Sequence, residues 1–255
     1  MKKLIPFILA TAATVTPFTA SAIPVGLELA LLTDVSGSVD NTEYLLQKNG
    51  YVQAFQDAII QANIASITGG IAVAYYEWSG ASEQATKVNW FHIFDATSAN
   101  TFASNIAATI RSFGGSTAPG SAINFATPLF GTETGGTSNG FESSRQVIDV
   151  SGDGDQNDGA NTLTAKNSAL TAGVEAINGL PIGDAGLLAW YQTNIQGGAG
   201  SFTIQANTFA DFNLAIKDKI GKEIINVKPV PEPTSIALLG LGAMVMFAAR
   251  RRKTA

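Results

Sequence analysis

Leu27-Glu28-Leu29-Ala30-Leu31-Leu32 is a nearly continuous apolar run that ends at a turn, Asp34-Val35-Ser36-Gly37-Ser38. A strand apolar on both faces must be covered on both faces, the situation of a central parallel strand. The rest of the chain repeats this alternation. Thr42 to about Asn63, capped by Asn41, reads as a helix with Leu45, Tyr51, Phe55 and Ile59 on one stripe. Ile71 to Trp78 and Val88 to Phe94 read as strands joined through a polar loop, Gly80 to Lys87, as a hairpin. Helices are expected from Ala99 to Ser112, with Phe102, Ile106 and Ile110 four apart, and from Pro119 to Leu129. After a Gly/Thr-rich loop from Gly131 to Gly140 come a strand from Arg145 to Val150 and a helix from Leu163 to Ile177. A short strand Leu180 to Ile182, a helix Leu187 to Ile195, a strand Ser201 to Ala206 and a closing helix Phe209 to Ile225 follow. This alternation predicts an α/β fold: a doubly wound, mostly parallel sheet with one antiparallel edge strand and helices on both faces.

The ends read as addresses rather than as fold. Lys2 and Lys3, the apolar run Leu4 to Val15 and the A-x-A site Ala20-Ser21-Ala22 make residues 1–22 a signal peptide, so the exported chain begins at Ile23. The body is residues 23–227, and 228–234 is a Pro-rich linker. Residues 235–249 are apolar and precede Arg250-Arg251-Arg252-Lys253. The basic cluster marks 235–249 as a transmembrane helix, short for a full span, with 250–255 on the cytoplasmic side. Outside the two tails nine Lys and Arg face nineteen Asp and Glu, a net charge of −10. Such a surface repels nucleic acid and tolerates divalent cations. The chain has no Cys, which removes disulfide and thiol chemistry.

In an open parallel sheet, ligands bind beyond the carboxyl ends of the strands. The first strand delivers Asp34, Ser36 and Ser38 to that edge. The fourth delivers Asp153 in Ser151-Gly152-Asp153-Gly154, and the loop Gly114-Gly115-Ser116-Thr117 adds a hydroxyl. This is a hard, all-oxygen set, suited to Mg²⁺ or Mn²⁺ better than to Zn²⁺. Glu77, near the carboxyl end of the second strand, is placed to hold a metal-bound water. Asp149 lies deeper and reads as a structural group bonded to backbone or Arg.

Other motifs depart from their patterns. Gly115-x-x-x-x-Gly120-Ser121 has the glycine spacing of a P-loop but Ser121 where Lys is required. Asp153-x-Asp155-x-Asn157-Asp158-Gly159 approaches a calcium loop, but Asp158 in the Gly position and Thr164 in the Glu position argue against an EF-hand, leaving a solvated loop, with a second, weak Ca²⁺ site near Asp155 as the alternative. His92, the one His, sits within a strand and reads as a structural residue.

The pattern D-x-S-x-S, then Thr117, then Asp153 resembles the metal-ion-dependent adhesion site (MIDAS) of von Willebrand A domains, in order and spacing, over the body from Val25 to Ile225. The resemblance implies that Ser36 and Ser38 bind the metal directly, Thr117 in some liganded states, and Asp34 and Asp153 directly or through water. It also implies a binding or adhesion module rather than an enzyme. Its ligand is a carboxylate from a protein or an acidic polysaccharide. A structural surface or matrix role with a purely stabilising metal is the alternative, and a metal-dependent hydrolase the third. Tyr76-Glu77-Trp78-Ser79-Gly80 and Val147 to Gly154 resemble a bacterial group of such A-like proteins. The tail, Pro231-Glu232-Pro233 followed by the apolar segment and the Arg-rich end, resembles a PEP-CTERM sorting signal. That implies a Gram-negative host and an exosortase-type membrane protease. The chain is then held in the inner membrane, cut near Pro231, Glu232 and Pro233, and passed to the cell surface or extracellular matrix.

Overall fold

The computed structural model describes residues 22–225. The expected signal peptide, linker and membrane helix lie outside them. Among the described residues no helix is long and apolar enough to cross a membrane.

Strands β1 (Ile23–Pro24), β2 (Leu27–Asp34), β3 (Ile71–Trp78), β4 (Gln84–Ile93), β5 (Phe141–Glu142), β6 (Gln146–Gly152), β7 (Ala176–Pro181) and β8 (Gly197–Gly198) alternate with seven helices. These are α1 (Asn41–Gln56), α2 (Ala58–Ala65), α3 (Ala96–Ala107), α4 (Pro119–Ala126), α5 (Thr162–Ala172), α6 (Ala185–Asn194) and α7 (Phe212–Ile225). The main sheet runs β4-β3-β2-β6-β7-β8, and β1 pairs only with β5. β3, β2, β6 and β7 are parallel, and β4 and β8 are antiparallel. The sheet therefore carries an antiparallel strand at each edge, where one was expected.

Every residue of β2, β3, β6 and β7 is buried, as the doubly covered arrangement requires. Leu27, Leu29, Leu31, Val73 and Tyr75 face α1, α2, α3 and α7 through Tyr51, Phe55, Phe102, Phe212 and Ile216. Ala30, Leu32, Ala74, Tyr76 and Trp78 face the layer of α4, α5 and α6.

Several elements depart from the sequence expectation for identifiable reasons. The first helix is two, because Asp57 ends α1 and its carboxylate accepts the Ile59 and Ile60 N–H groups to start α2. Its cap is Asp40, in a reciprocal box with Glu43. The break turns the face, leaving Ile59 70% exposed, and Leu45 lies off the stripe that α1 itself buries, Tyr44, Gln47, Tyr51, Ala54 and Phe55, and is 48% exposed. α3 ends at Ala107, so Ile110 lies beyond it and is 78% exposed. α4 tightens into a 3₁₀ segment, Thr127–Thr134, where Pro128 lacks an N–H for the α ladder. α5 ends at Ala172, where the positive φ of Gly173 stops the helix five residues early and frees Ala176 and Ile177 for β7. Residues 201–206 run beside β7 but touch it only by isolated bridges, Gly179 with Thr203 and Ile182 with Ala206. Pro181 cannot donate to a ladder there, and the Asn178 side chain takes the Phe202 N–H instead.

Buried charge is the other architectural feature. Asp149 meets Lys219 of α7 at 2.6 Å, and Lys219 also meets Glu223 at 3.0 Å, with Asn178 donating to Glu223 at 2.8 Å. Asp149 is thus structural, but its partner is Lys rather than backbone or Arg; burial pushes its carboxyl up. Glu28 is held at the start of β2 by Asn139 and Ser143, and burial, with Glu133 adding to it, raises its pKa to about 7. A carboxyl raised in the folded state stabilises fully below its ordinary pKa and loses that contribution as pH rises through about 7. Chemical denaturation at pH 5 and pH 8 should show stability falling toward the higher pH. Glu28→Gln should flatten that fall by up to about 3 kcal/mol. An unchanged slope would contradict the assignment.

Candidate metal centre

β2 and β6 are parallel neighbours, with Thr33 opposite Ser151, so both chains leave the sheet side by side at their carboxyl ends. Asp34 is the last residue of β2 and is fully buried. Its Oδ1 accepts the Ser36 N–H at 2.8 Å, folding the chain back at once. The Ser36 and Ser38 hydroxyls then lie 3.2 Å apart, and Ser38 donates to Asp153 Oδ1 at 2.7 Å. Four of the five sequence-chosen residues therefore form one continuous run of oxygen groups across two loops.

Thr117 joins from a third loop. The Gly37 N–H donates to the Gly115 carbonyl at 2.7 Å, tying the loops together. A Cβ added to Gly154 would lie 3.5 Å from Thr117 Oγ1, which puts that hydroxyl beside the residue following Asp153. Asn157 fixes Thr117, accepting its N–H at 2.8 Å and donating to its carbonyl at 3.0 Å. The loop that approaches a calcium motif thus supports Thr117. Its Asp158 accepts the Ala81 N–H, and Asp155 is exposed.

Glu77 lies on the α1 face of β3. Its carboxylate accepts from Tyr44 and from the Ser112 N–H, both at 2.9 Å, and meets Lys87 at 3.6 Å. None of these partners belongs to the five-residue set. His92 bonds the Gly69 carbonyl at 2.7 Å, and its ring is tilted against those of Phe94 and Phe141. Pro231, Glu232 and Pro233 lie outside the described residues.

The electrostatics are unfavourable to two bare carboxylates. Asp34 Oδ2 is buried with no hydrogen-bond partner among the described residues. Burial pushes the Asp34 carboxyl up to about 7; the Ser36 N–H opposes this and Asp153 adds to it. Burial raises Asp153 as well. The Tyr191 hydroxyl, also buried without a partner, is held un-ionised by burial and by these carboxylates. An unpaired acceptor, a second carboxylate and three hydroxyls fit a hard divalent cation. Among the described residues no group of three or more His, Cys, Asp or Glu converges, so any cation would rest largely on hydroxyls.

Three supports stand outside the five-residue set, and sequence reasoning missed two of them, Arg111 and Tyr191. Arg111 donates to the Val35 and Ser36 carbonyls at 2.9 and 2.8 Å, clamping the first loop. Gly152 sits so close to Asp34 that a Cβ would fall 2.6 Å from Oδ2 and 2.9 Å from the Tyr191 hydroxyl. Tyr191 arrives from α6. Only Gly152 carried a sequence signal, a glycine at a strand end; Arg111 and Tyr191 are brought in by tertiary packing.

Residues 24–228 match a single family throughout, described as "Protein of unknown function (DUF1194)". The chain belongs to that DUF1194 family, which is von Willebrand A-like. Residues 229–253 match the PEP-CTERM protein-sorting motif. No curated protein matches the chain. Among solved structures, this DUF1194 chain is similar to proximal thread matrix protein 1 from the mussel byssus. TM-score is 0.55 at 17% identity, over 78% of this chain and 48% of that one. Another structure of that protein, with a zinc-occupied MIDAS motif, matches at TM-score 0.55 and 15% identity, over 78% and 48%. The pilus adhesin SpaC of Lactobacillus rhamnosus GG matches at TM-score 0.54 and 12% identity, over 79% and 31%. The chain therefore spans about half the length of the byssus protein and under a third of the adhesin. At these identities the likeness is one of fold.

Gly152→Ala would force apart β6, Asp34 and Tyr191. It should lower stability by about 1–3 kcal/mol, as overpacking does. Gly140→Ala, at a positive φ but with open space around it, serves as the backbone-strain control. Thermal denaturation of both variants checks this, and a Gly152→Ala protein as stable as wild type would show that the approach is not tight.

Proposed function

We propose that the body is an exported, metal-dependent binding module, non-enzymatic, in which Asp34, Ser36, Ser38, Thr117 and Asp153 hold Mg²⁺ or Mn²⁺. The cation supplies an open coordination position for a carboxylate of a protein or an acidic polysaccharide. The observation that carries this reading is Asp34 Oδ2, buried without a donor at one end of the oxygen run whose other end, Asp153, is only partly buried. Burying a charge without a partner is expensive, and a cation removes the cost. Arg111 and Asn157 hold the two loops in place without entering the set. The similar structures, a pilus adhesin and a thread matrix protein, support a binding or matrix role. A hydrolase would need a general base at the site. Glu77 is already engaged by Tyr44, Ser112 and Lys87, and His92 by Gly69.

The PEP-CTERM match implies export and processing by an exosortase-type protease. We place the cut near Pro231, Glu232 and Pro233, after a stage in which residues 235–249 hold the chain in the inner membrane. The product then stands at the cell surface or in the extracellular matrix. Neutralising Arg250, Arg251 and Arg252 should block maturation. Mass spectrometry of the protein from its native host would then find the intact C-terminus; processing at the wild-type level would contradict the role of the cluster.

Melting curves of the full-length protein in Mg²⁺, Mn²⁺, Zn²⁺ and EDTA test the site. Mg²⁺ and Mn²⁺ should raise Tm, with about 2.7 kcal/mol of stabilisation at a hundredfold excess over Kd. Asp34→Asn keeps the Ser36 bond but removes the buried charge. It should stabilise the EDTA form and abolish the metal response, opposite signs that a general loss of fold cannot produce. Asp155→Ala should leave the response intact. A metal response that survives Asp34→Asn and disappears in Asp155→Ala would move the site to the loop after β6. Retention of a carboxylate-bearing partner from native envelope in Mg²⁺ but not EDTA separates binding from a purely stabilising metal.

A further inference from the structure

A second cleft lies on the other side of β3, between the edge strand β4 and the 3₁₀ segment, with a volume of about 280 Å³. None of its lining residues belongs to the candidate cation set, and none is charged. That excludes a phosphate, carboxylate or ammonium as its main determinant, since each would be desolvated without a counter-charge.

Tyr76 forms part of the wall. Its ring packs edge-on against Phe125 at 5.8 Å, and the residue is only 1% exposed. Its hydroxyl makes no hydrogen bond to any described residue, yet it is not among the polar atoms sealed from solvent. The accessible sliver of Tyr76 is therefore its hydroxyl, and the space it reaches is the cleft. The neighbouring Tyr75 hydroxyl, by contrast, is sealed. Trp90 supplies a flat apolar wall. Its Nε1 donates to the Leu129 carbonyl at 2.7 Å and its ring tilts on Phe130 at 5.2 Å, so a partly exposed indole is held rigid. Asn139 is braced behind it, donating to Glu28 at 2.5 Å and accepting the Phe141 N–H at 2.9 Å. The Thr86 and Thr137 hydroxyls line the opening with no partner among the described residues, and the Asn89 amide is tied only through its oxygen.

A rigid indole face, an unpartnered phenol, free hydroxyls and an amide, all without charge, suit a flat ring with C–H faces and hydroxyl edges. We propose that this cleft binds a neutral pyranose unit of an oligo- or polysaccharide, independently of any cation. The hydroxyl edge would meet Tyr76, Thr86 and Asn89, and the C–H face would lie on Trp90.

The test titrates the full-length chain, in a detergent without a sugar headgroup and with EDTA throughout. The probes are maltotetraose, cellotetraose, xylotetraose and chitotetraose, with tetraglycine as the non-saccharide control. Calorimetry and tryptophan fluorescence are read together. At least one tetrasaccharide should bind at millimolar concentration or below and change the fluorescence. Tyr76→Phe should weaken it about fivefold to tenfold, the worth of one hydrogen bond, without lowering Tm, because no protein group bonds that hydroxyl. Trp90→Phe should remove the fluorescence change. Failure of all four sugars to bind, equal binding of tetraglycine, or an unchanged affinity in Tyr76→Phe would each overturn the proposal.

Discussion

Asp34 and Asp153 stand together because β2 and β6 are adjacent parallel strands, in register up to Thr33 and Ser151, and because Gly152 lets the two chain ends approach. Everything else at this edge follows from that juxtaposition. The Ser36 N–H satisfies one Asp34 oxygen and leaves the other with no donor. Ser38 bridges to Asp153, and Thr117 is brought alongside by the bond between Gly37 and Gly115. The fold thus concentrates negative charge where it is least solvated. Such an arrangement stabilises a native protein only when something compensates the charge.

The sheet handles its other buried charges differently. Asp149 on β6 is paired with Lys219, and Glu77 with Lys87 and two hydrogen-bond donors. Both lie on the face covered by α1 and α7, where the core contains Tyr51, Tyr75 and Phe212. Among the described residues Glu28 has no cationic partner either but accepts from Asn139 and Ser143, whereas Asp34 Oδ2 has neither cation nor donor: Arg111 spends its guanidinium on the Val35, Ser36 and Phe113 carbonyls. A buried Asp34 oxygen left with neither a cation nor a donor is the physical argument for an external cation.

Much of this was legible in the sequence because it is local. The apolar runs of β2, β3 and β6 gave the parallel sheet, and D-x-S-x-S at a strand end gave the turn. In two places where local pattern failed, a side chain had overridden periodicity. Asp57 breaks a helix that contains no Gly or Pro at the break, and Asn178 takes an N–H that a regular strand at 201–206 would have used. The lysine facing Asp149 could not be read either, since Lys219 lies seventy residues away and looks like any helical lysine until α7 docks. The same holds for Arg111 and Tyr191. Their roles depend on which carbonyls and carboxylates the fold brings near them.

The central claim, that the oxygen run at the β2 and β6 ends is a cation site, is tested most directly by anomalous diffraction from crystals grown with Mn²⁺. The account predicts one strong anomalous peak bounded by Asp34, Ser36, Ser38, Thr117 and Asp153. A peak among Asp155, Asn157 and Asp158, or no peak at saturating Mn²⁺, would contradict it.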